Sequence, residues 1–432
     1  MRVPMKETAN KWSKRSWKVF PGGCLGEYNL PQDLSVVLMR GQGTRVYDTN
    51  GKEFVDFTMG WGSVILGHSH PGINEAVKKQ VEKGSNFSYV SGPALELAEE
   101  LVRAVPCAEK VRFCASGTEA TMYAVRLARA FKRRDKIVKF EGAYHGANEF
   151  GAISLFPQEL IDFPTPNPTS AGITEAVRND VLIAPYNDLK TTARIIEDNA
   201  AEIAAVIVEP LHRCTTPLAG FLEGLREITR KHDILLVFDE CVTGFRLAYG
   251  GAQAYYGVVP DIAALGKALG GGYPVGAIVG RADILDLCDE ADLGQERYVW
   301  FASTLGGNPV TAAAALATLK ELRKPNTYEH LFAMGEKLRN GFQSILTELG
   351  IVAQVLGDGP LCALVFNKEK VVDYRTAFNA DRKKARKFTL GLFRNGIFLN
   401  PMSTKLYFSL AHGDEEIDKI HSVARKVLKE IF

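Results

Sequence analysis

The 432-residue chain has no excess of charge of either sign, because 52 Lys and Arg stand against 50 Asp and Glu for a formal net charge of +2. That balance gives no electrostatic argument for a nucleic acid or an anionic membrane as partner. No apolar run approaches membrane-spanning length. The basic opening stretch, MRVPMKETANKWSKRSWKVFPGG, lacks the apolar centre of a secretory signal, so the cytoplasm is the expected compartment. The seven cysteines, Cys24, Cys107, Cys114, Cys214, Cys241, Cys288 and Cys362, form no CxxC pair and are odd in number. This argues against a disulfide framework or a zinc site and for reduced thiols. There is no HExxH and no phosphate loop ending in Gly-Lys-Ser or Gly-Lys-Thr. His68 and His70 in GHSHPG lack a third ligand and read as a turn, so no metal is expected.

What remains is a globular composition whose 46% hydrophobic residues suffice for a large buried core. The length fits two or three domains, or one large α/β unit with an accessory domain. KVRFCAS reads as a strand and GTEATMYAVRLARAFKRR as the helix after it, with Ala120, Tyr123, Ala124, Leu127, Ala128 and Phe131 on one face. KIVKFEG, AAVIVEP and ILLVFDE follow as strands. The last two are continuous apolar runs, as in a parallel sheet covered on both faces, with FLEGLREITRKHD as a crossover helix between them. Ligands gather at the carboxyl ends of such strands.

From about residue 311 the pattern changes to long helices and a few strands, LCALVFN and KLYFSLA among them, closing on the amphipathic DEEIDKIHSVARKVLKEIF. Near the N-terminus TRVYDTNGKEFVDFT reads as a hairpin turning at Asn50-Gly51, able to pair with the C-terminal part. The expected division is an N-terminal segment 1–65 packing with a small domain, a large domain 66–310, and the small domain 311–432. The Pro-rich stretch 151–175 is weakly periodic, and a loop of that length is usually disordered or functional.

Four strand ends carry chemical groups: Ser116-Gly117-Thr118-Glu119 at a helix start, Asp239 after ILLVFD, Glu209 before Pro210, and Tyr144-His145 after KIVKFEGA. Free N–H groups at a helix start hold phosphate. Each site also has a plainer reading when taken singly, as a helix cap or a buried ion pair. Lys267, inside PDIAALGKALGGGYPVGA, gives the set a meaning. A lysine in a water-poor site is a neutral amine able to form a Schiff base, whereas a lone surface lysine would only snorkel. An amine, a carboxylate for a pyridinium nitrogen and a phosphate cup are what pyridoxal phosphate requires.

SGTEA, YHG, VEP, FDECVTGFR, GKALGGGYPVGA and STLGGNPV stand in the order and spacing of the class III, fold-type I, pyridoxal-phosphate aminotransferases, which the chain resembles from about residue 20 to its C-terminus. Within that class it most resembles the glutamate-1-semialdehyde 2,1-aminomutase family, on FPGG, GWGSVILGHSHP, PYNDL and SLAHGDEEID. The resemblance implies an α/β fold: a large, mostly parallel-sheet domain that binds pyridoxal 5'-phosphate, and a small α+β domain built from the N- and C-terminal segments. It implies that Lys267 holds the internal aldimine and shuttles protons, Asp239 binds the pyridinium nitrogen and Tyr144 stacks on the ring. It places Ser116, Gly117 and Thr118 at the phosphate, and His145 and Glu209 beside the cofactor. It also implies a homodimer in which Thr304 reaches the phosphate of the neighbouring subunit, and a substrate pocket lined by Trp61.

Three stretches depart from the aminomutase pattern. That family has an arginine a few residues after Pro-Gly-Gly, where this chain has PGGCLGEYNLPQDL and the aligned position is about Asn29. It has a glutamate in a C-terminal PSxFE stretch, where this chain has PMSTKL with Lys405. After VEP this chain reads LHRCTT. Asn29 and Lys405 are therefore the substrate contacts to examine. The first expectation is an aminotransferase moving an amino group between a small amino donor and a carbonyl acceptor. The alternative is an aminomutase acting on glutamate semialdehyde. The alternative of another class is a scaffold that binds the cofactor without catalysis, against which intact Lys267 and Asp239 argue.

Overall fold

The computed structural model describes residues 11–26, 28–291 and 297–432. Its contacts divide the chain into two units, Met1–His70 with Glu329–Lys370 and Asn379–Phe432, and Pro71–Tyr328 with Val371–Phe378.

The first unit begins with β1 (Leu38–Gln42), β2 (Arg45–Asp48) and β3 (Glu53–Asp56), an antiparallel meander. The turn at Asn50-Gly51 closes because Asp48 Oδ1 accepts from the N–H groups of Asn50 (2.8 Å) and Lys52 (2.9 Å), and Gly51 takes φ of 78° without a Cβ to oppose it.

The second unit is built on seven strands: β4 (Lys110–Cys114), β5 (Lys136–Phe140), β6 (Val181–Ala184), β7 (Ile203–Val208), β8 (Leu235–Glu240), β9 (Ile262–Gly266) and β10 (Gly276–Gly280). They lie in the order β4-β10-β9-β8-β7-β5-β6. Every neighbouring pair is parallel except those involving β10, which is antiparallel to both β4 and β9. The segment 267–275 between β9 and β10 is shorter than the dozen or so residues a parallel crossover needs, so the chain must double back. Residues of β7, β8 and β9 are buried throughout, as their unbroken apolar runs require. Helix Gly117–Lys132 buries the expected face, Ala120, Tyr123, Ala124, Leu127 and Ala128, with Phe131 packed partly buried beside it. Residues 151–174 hold no helix or strand, only an isolated bridge from Ile153 to Pro168. Helix Tyr374–Phe378 fastens this stretch: Arg375 donates to Glu141 (2.8 Å) and lies 3.6 Å from the Phe163 ring centre, and Tyr374 Oη donates to Pro157 O (2.9 Å).

The first unit resumes with β11 (Gln354–Leu356), β12 (Leu361–Val365), β13 (Ile397–Phe398) and β14 (Leu406–Tyr407). β13 pairs in parallel with β3, so the N-terminal meander and the C-terminal part share one sheet. Phe54, Phe57, Phe342, Phe388, Phe393 and Phe408 make the centre of this unit's core. KLYFSLA is a strand over Leu406–Tyr407 only. Its later N–H groups bond singly, Leu410 to Ile65 O at 2.8 Å for instance, instead of forming a ladder. Among the described residues no helix is long and apolar enough to cross a membrane.

Buried Asp261 ties the large sheet to its surroundings: it accepts from Arg226 Nη1 (2.7 Å) on helix Phe221–Lys231, from Leu236 N (2.8 Å) in β8 and from Arg281 Nη1 (3.3 Å) after β10. Asp261→Ala leaves Arg226 as a buried cation without its carboxylate and is expected to cost about 3–5 kcal/mol in urea unfolding. Adding Arg226→Met to that variant should return part of the loss.

Candidate active site

The carboxyl ends of β5, β7, β8 and β9 bring Tyr144, His145, Glu209, Asp239 and Lys267 into one unit. Asp239, the next-to-last residue of β8, is 5% exposed. Its Oδ1 accepts from Cys241 N at 3.0 Å, and its Oδ2 lies 2.8 Å from His145 Nδ1. Burial pushes the Asp239 pKa up, but the His145 hydrogen bond and charge, together with the Lys267 charge, outweigh it, so the carboxyl stays below its usual value. An ionised carboxylate only accepts, so the His145 proton that points at it sits on Nδ1. His145 is wholly buried, and its Nε2 has no hydrogen-bond partner.

Lys267 opens the short 3-10 turn Lys267–Gly270 directly after β9, with φ of 44°, and is half-buried. Its charge acts on Asp239.

Glu209 follows β7 and is buried. Its Oε2 accepts from Tyr144 N at 3.0 Å and lies 3.9 Å from Arg213 Nε. Burial raises its pKa, and the charges of Arg213, His212 and His145 more than reverse that, leaving it below the usual value. Tyr144 is 40% exposed, with the Arg213 guanidinium 5.5 Å from its ring centre.

The loop after β5 is tied down on all sides. His145 O accepts from Thr121 Oγ1 (2.6 Å) and Asn148 Nδ2 (3.0 Å). Gly146, at φ 90°, passes so close to the helix start that a Cβ there would sit 2.7 Å from Thr118 Oγ1. Lys139 in β5 is 0% exposed and aims Nζ at four carbonyls of the same loop, Ala143, Phe150, Gly151 and Ile153, at 2.5 to 3.4 Å. The sequence signal for Lys139 was available and unused: a lysine in the middle of the apolar run KIVKFEG has to find partners inside.

At the start of helix Gly117–Lys132, Ser116 Oγ accepts from Glu119 N (3.2 Å) and Glu119 Oε2 accepts from Ala115 N (2.7 Å). The helix-cap reading is thus realised in full, and it leaves the N–H groups of Gly117 and Thr118 outside the cap. A Cβ on Gly117 would meet Cys241 Sγ at 2.7 Å, so only glycine lets the backbone lie this close to the turn after Asp239. Thr304, in the same unit, is exposed and accepts from Asn86 Nδ2 through its carbonyl (3.1 Å).

Asn29, Trp61 and Lys405 belong to the other unit. Trp61 is 41% exposed and meets the Tyr28 ring edge-on at 5.7 Å. Asn29 has φ of 44°, and its carbonyl accepts from Arg386 Nη2. Lys405 Nζ lies 5.0 Å from the Tyr407 ring centre. His68 Nε2 is 2.7 Å from Asp56 Oδ2, an internal pair. Among the described residues no group of three or more His, Cys, Asp or Glu is placed to hold a metal ion.

This arrangement fits pyridoxal phosphate. A buried carboxylate kept ionised matches a protonated ring nitrogen, and a glycine-cleared helix start with two N–H groups outside the cap matches a phosphate. An amine whose charge reaches that carboxylate completes the set.

Residues 28–428 match the family described as Aminotransferase class-III. The chain is 36% identical over 435 residues to the glutamate-1-semialdehyde 2,1-aminomutase of Thermodesulfovibrio yellowstonii, covering 99% of this chain and 100% of that one. It is 38% identical over 434 residues to the glutamate-1-semialdehyde 2,1-aminomutase of Thermomicrobium roseum, covering 99% of each. Its fold is similar to that of an omega-transaminase from Sphaerobacter thermophilus, with a TM-score of 0.92 at 34% identity and 98% of both chains covered.

Burial, with the nearby Arg213 charge, lowers the Lys139 pKa from 10.5 to about 7 against the opposing pull of Glu209. Between pH 7 and 10.5 the unfolded chain then holds a proton that the folded chain lacks, so this group's contribution to stability rises with pH across that window. In urea unfolding, the stability of the wild type relative to Lys139→Met should improve as pH is raised from 7 to 10. A gap that stays flat would mean that the four carbonyls keep the amine protonated.

Proposed function

The chain belongs to the class III aminotransferases and is a pyridoxal-phosphate-dependent enzyme; from that premise we propose that it moves an amino group between two carbons of one substrate, as its aminomutase relatives are named for doing. The observation that carries the chemistry is the ionised, buried Asp239 held by His145.

When bound, pyridoxal phosphate supplies an aldehyde carbon that exchanges amines and a ring that takes up electrons from a substrate carbon. Asp239 would keep the ring nitrogen protonated, and His145 holds that carboxylate in place through Oδ2. The N–H groups of Gly117 and Thr118 hold the phosphate, with Ser116 shaping the turn. Tyr144 offers its exposed ring as a stacking face. Lys267 Nζ would carry a proton between the substrate carbon that bears nitrogen and the cofactor's aldehyde carbon. Thr304, exposed in its loop, would reach the phosphate site of a second copy in a homodimer.

The relatives favour this aminomutase reading over the donor-to-acceptor transfer that the substrate-site departures put first. Transfer between two molecules is the second reading. It rests on the omega-transaminase likeness and on Asn29 and Lys405 standing where the aminomutase family has arginine and glutamate.

Glutamate 1-semialdehyde added alone separates the two. An aminomutase converts this α-amino aldehyde into the amino ketone with nitrogen on C1 and needs no second substrate. A transaminase needs a separate donor and acceptor, and on this compound alone it would pass nitrogen between two molecules and leave a dicarbonyl and a diamine as products. In either assay Lys267→Ala should abolish turnover in a folded protein, and borohydride reduction of the wild type should leave the pyridoxyl label on Lys267. Asp239→Asn should lower turnover by about two orders of magnitude or more, measured at saturating cofactor.

A further inference from the structure

Within the LHRCTT departure, Arg213 lies against Tyr144 and near Glu209. It is held at φ 61°, in the left-handed region that a non-glycine residue occupies only when its surroundings impose it. Its Nε donates to Gly142 O at 3.1 Å, and its guanidinium sits 5.5 Å from the Tyr144 ring centre and 5.1 Å from that of Phe156. The side chain is 35% exposed, and its Nη2 has no hydrogen-bond partner.

The plainer role would be counter-ion to Glu209. The geometry is poor for that alone. The nearest approach is 3.9 Å, and Glu209 Oε2 already takes the Tyr144 N–H at 3.0 Å, whereas an arginine kept for a carboxylate closes two parallel N–H bonds at about 2.7–2.9 Å. The guanidinium instead lies over the rings of Tyr144 and Phe156, and its buried Nη2 has no hydrogen-bond partner.

We infer that Arg213 is a specificity-determining residue that receives an acidic group of the substrate, a carboxylate, in the unit that holds Asp239 and Lys267. The inference rests on the reading that Tyr144 stacks on the cofactor, because a substrate joined next to that ring then lies within reach of Arg213. A planar carboxylate matches the guanidinium fork. The chain lacks an arginine near residue 29 and has one at 213, so the cation that reads the substrate has changed its place in the sequence. The cofactor phosphate is the other anion Arg213 could take, and cofactor retention tests for it.

The test follows the absorbance change of the holoenzyme with amines that differ only in charge, 4-aminobutanoate against 4-aminobutanamide and glutamate against glutamine. In Arg213→Met the acid-to-amide ratio of kcat/KM should fall about ten- to a hundredfold, mainly through KM, with cofactor retained on gel filtration. Arg213→Lys should recover part of the ratio, and it decides the matter if the methionine variant fails to fold. An equal loss on acids and amides, loss of cofactor, or a ratio that responds to Lys405→Met and not to Arg213 would overturn the inference. A wild type that responds to none of the amines, nor to glutamate 1-semialdehyde, fails the enzymatic reading itself. A wild type that responds while the Arg213 variants keep its acid preference fails only this step.

Discussion

A carboxylate kept ionised inside the protein is the constraint around which the large unit is arranged. Asp239 stands next to the end of a strand whose residues are all buried, where an unpaired anion would be expelled by protonation or by unfolding. His145 Nδ1 and the Cys241 N–H hold it directly, and the Lys267 charge supports it. Each of these partners needs its own support. His145 depends on a loop fastened by Thr121, Asn148 and Lys139. Cys241 fills the space that the absent Cβ of Gly117 leaves open. Lys267 depends on the reversal between β9 and β10.

Glu209 repeats the arrangement one strand away, so two buried carboxylates lie among Lys139, His145, His212, Arg213 and Lys267. Such a set is costly unless nearly every member is paired. The nitrogens left unpaired, His145 Nε2 and Arg213 Nη2 among them, are therefore informative, because one lies behind Asp239 and the other beside Tyr144. The neighbouring Arg213 charge adds to burial in lowering the Lys139 pKa, so the loop tether and the guanidinium are electrostatically linked.

The family signature and the departures from the aminomutase pattern fall at different places in the chain. The groups that would hold the cofactor come from strand ends and one helix start, positions that the parallel sheet brings together in any chain with this order of elements. The departures from the aminomutase pattern fall outside that set, at Asn29, at Arg213 and at Lys405. A chain can thus keep the chemistry of its relatives while reading its substrate with different side chains.

The sequence by itself determined the α/β class, the buried strands β7 and β8, the helix after β4 and the hairpin at Asn50-Gly51, and it put forward Ser116, Gly117, Thr118, Tyr144, His145, Glu209, Asp239 and Lys267 as candidates. These are local signals: periodicity, turn chemistry, and polar groups at the ends of apolar runs. Tertiary structure decided what local signals cannot carry. GAIVG became the antiparallel β10 because a short segment had to turn back. KLYFSLA was reduced to a two-residue strand because its N–H groups found other acceptors. Asp239 met His145, 94 residues away in sequence, and Arg213 came to lie over the rings of Tyr144 and Phe156. Such pairings depend on which side chains the folded sheet places within a few ångströms, and no window of sequence contains both partners.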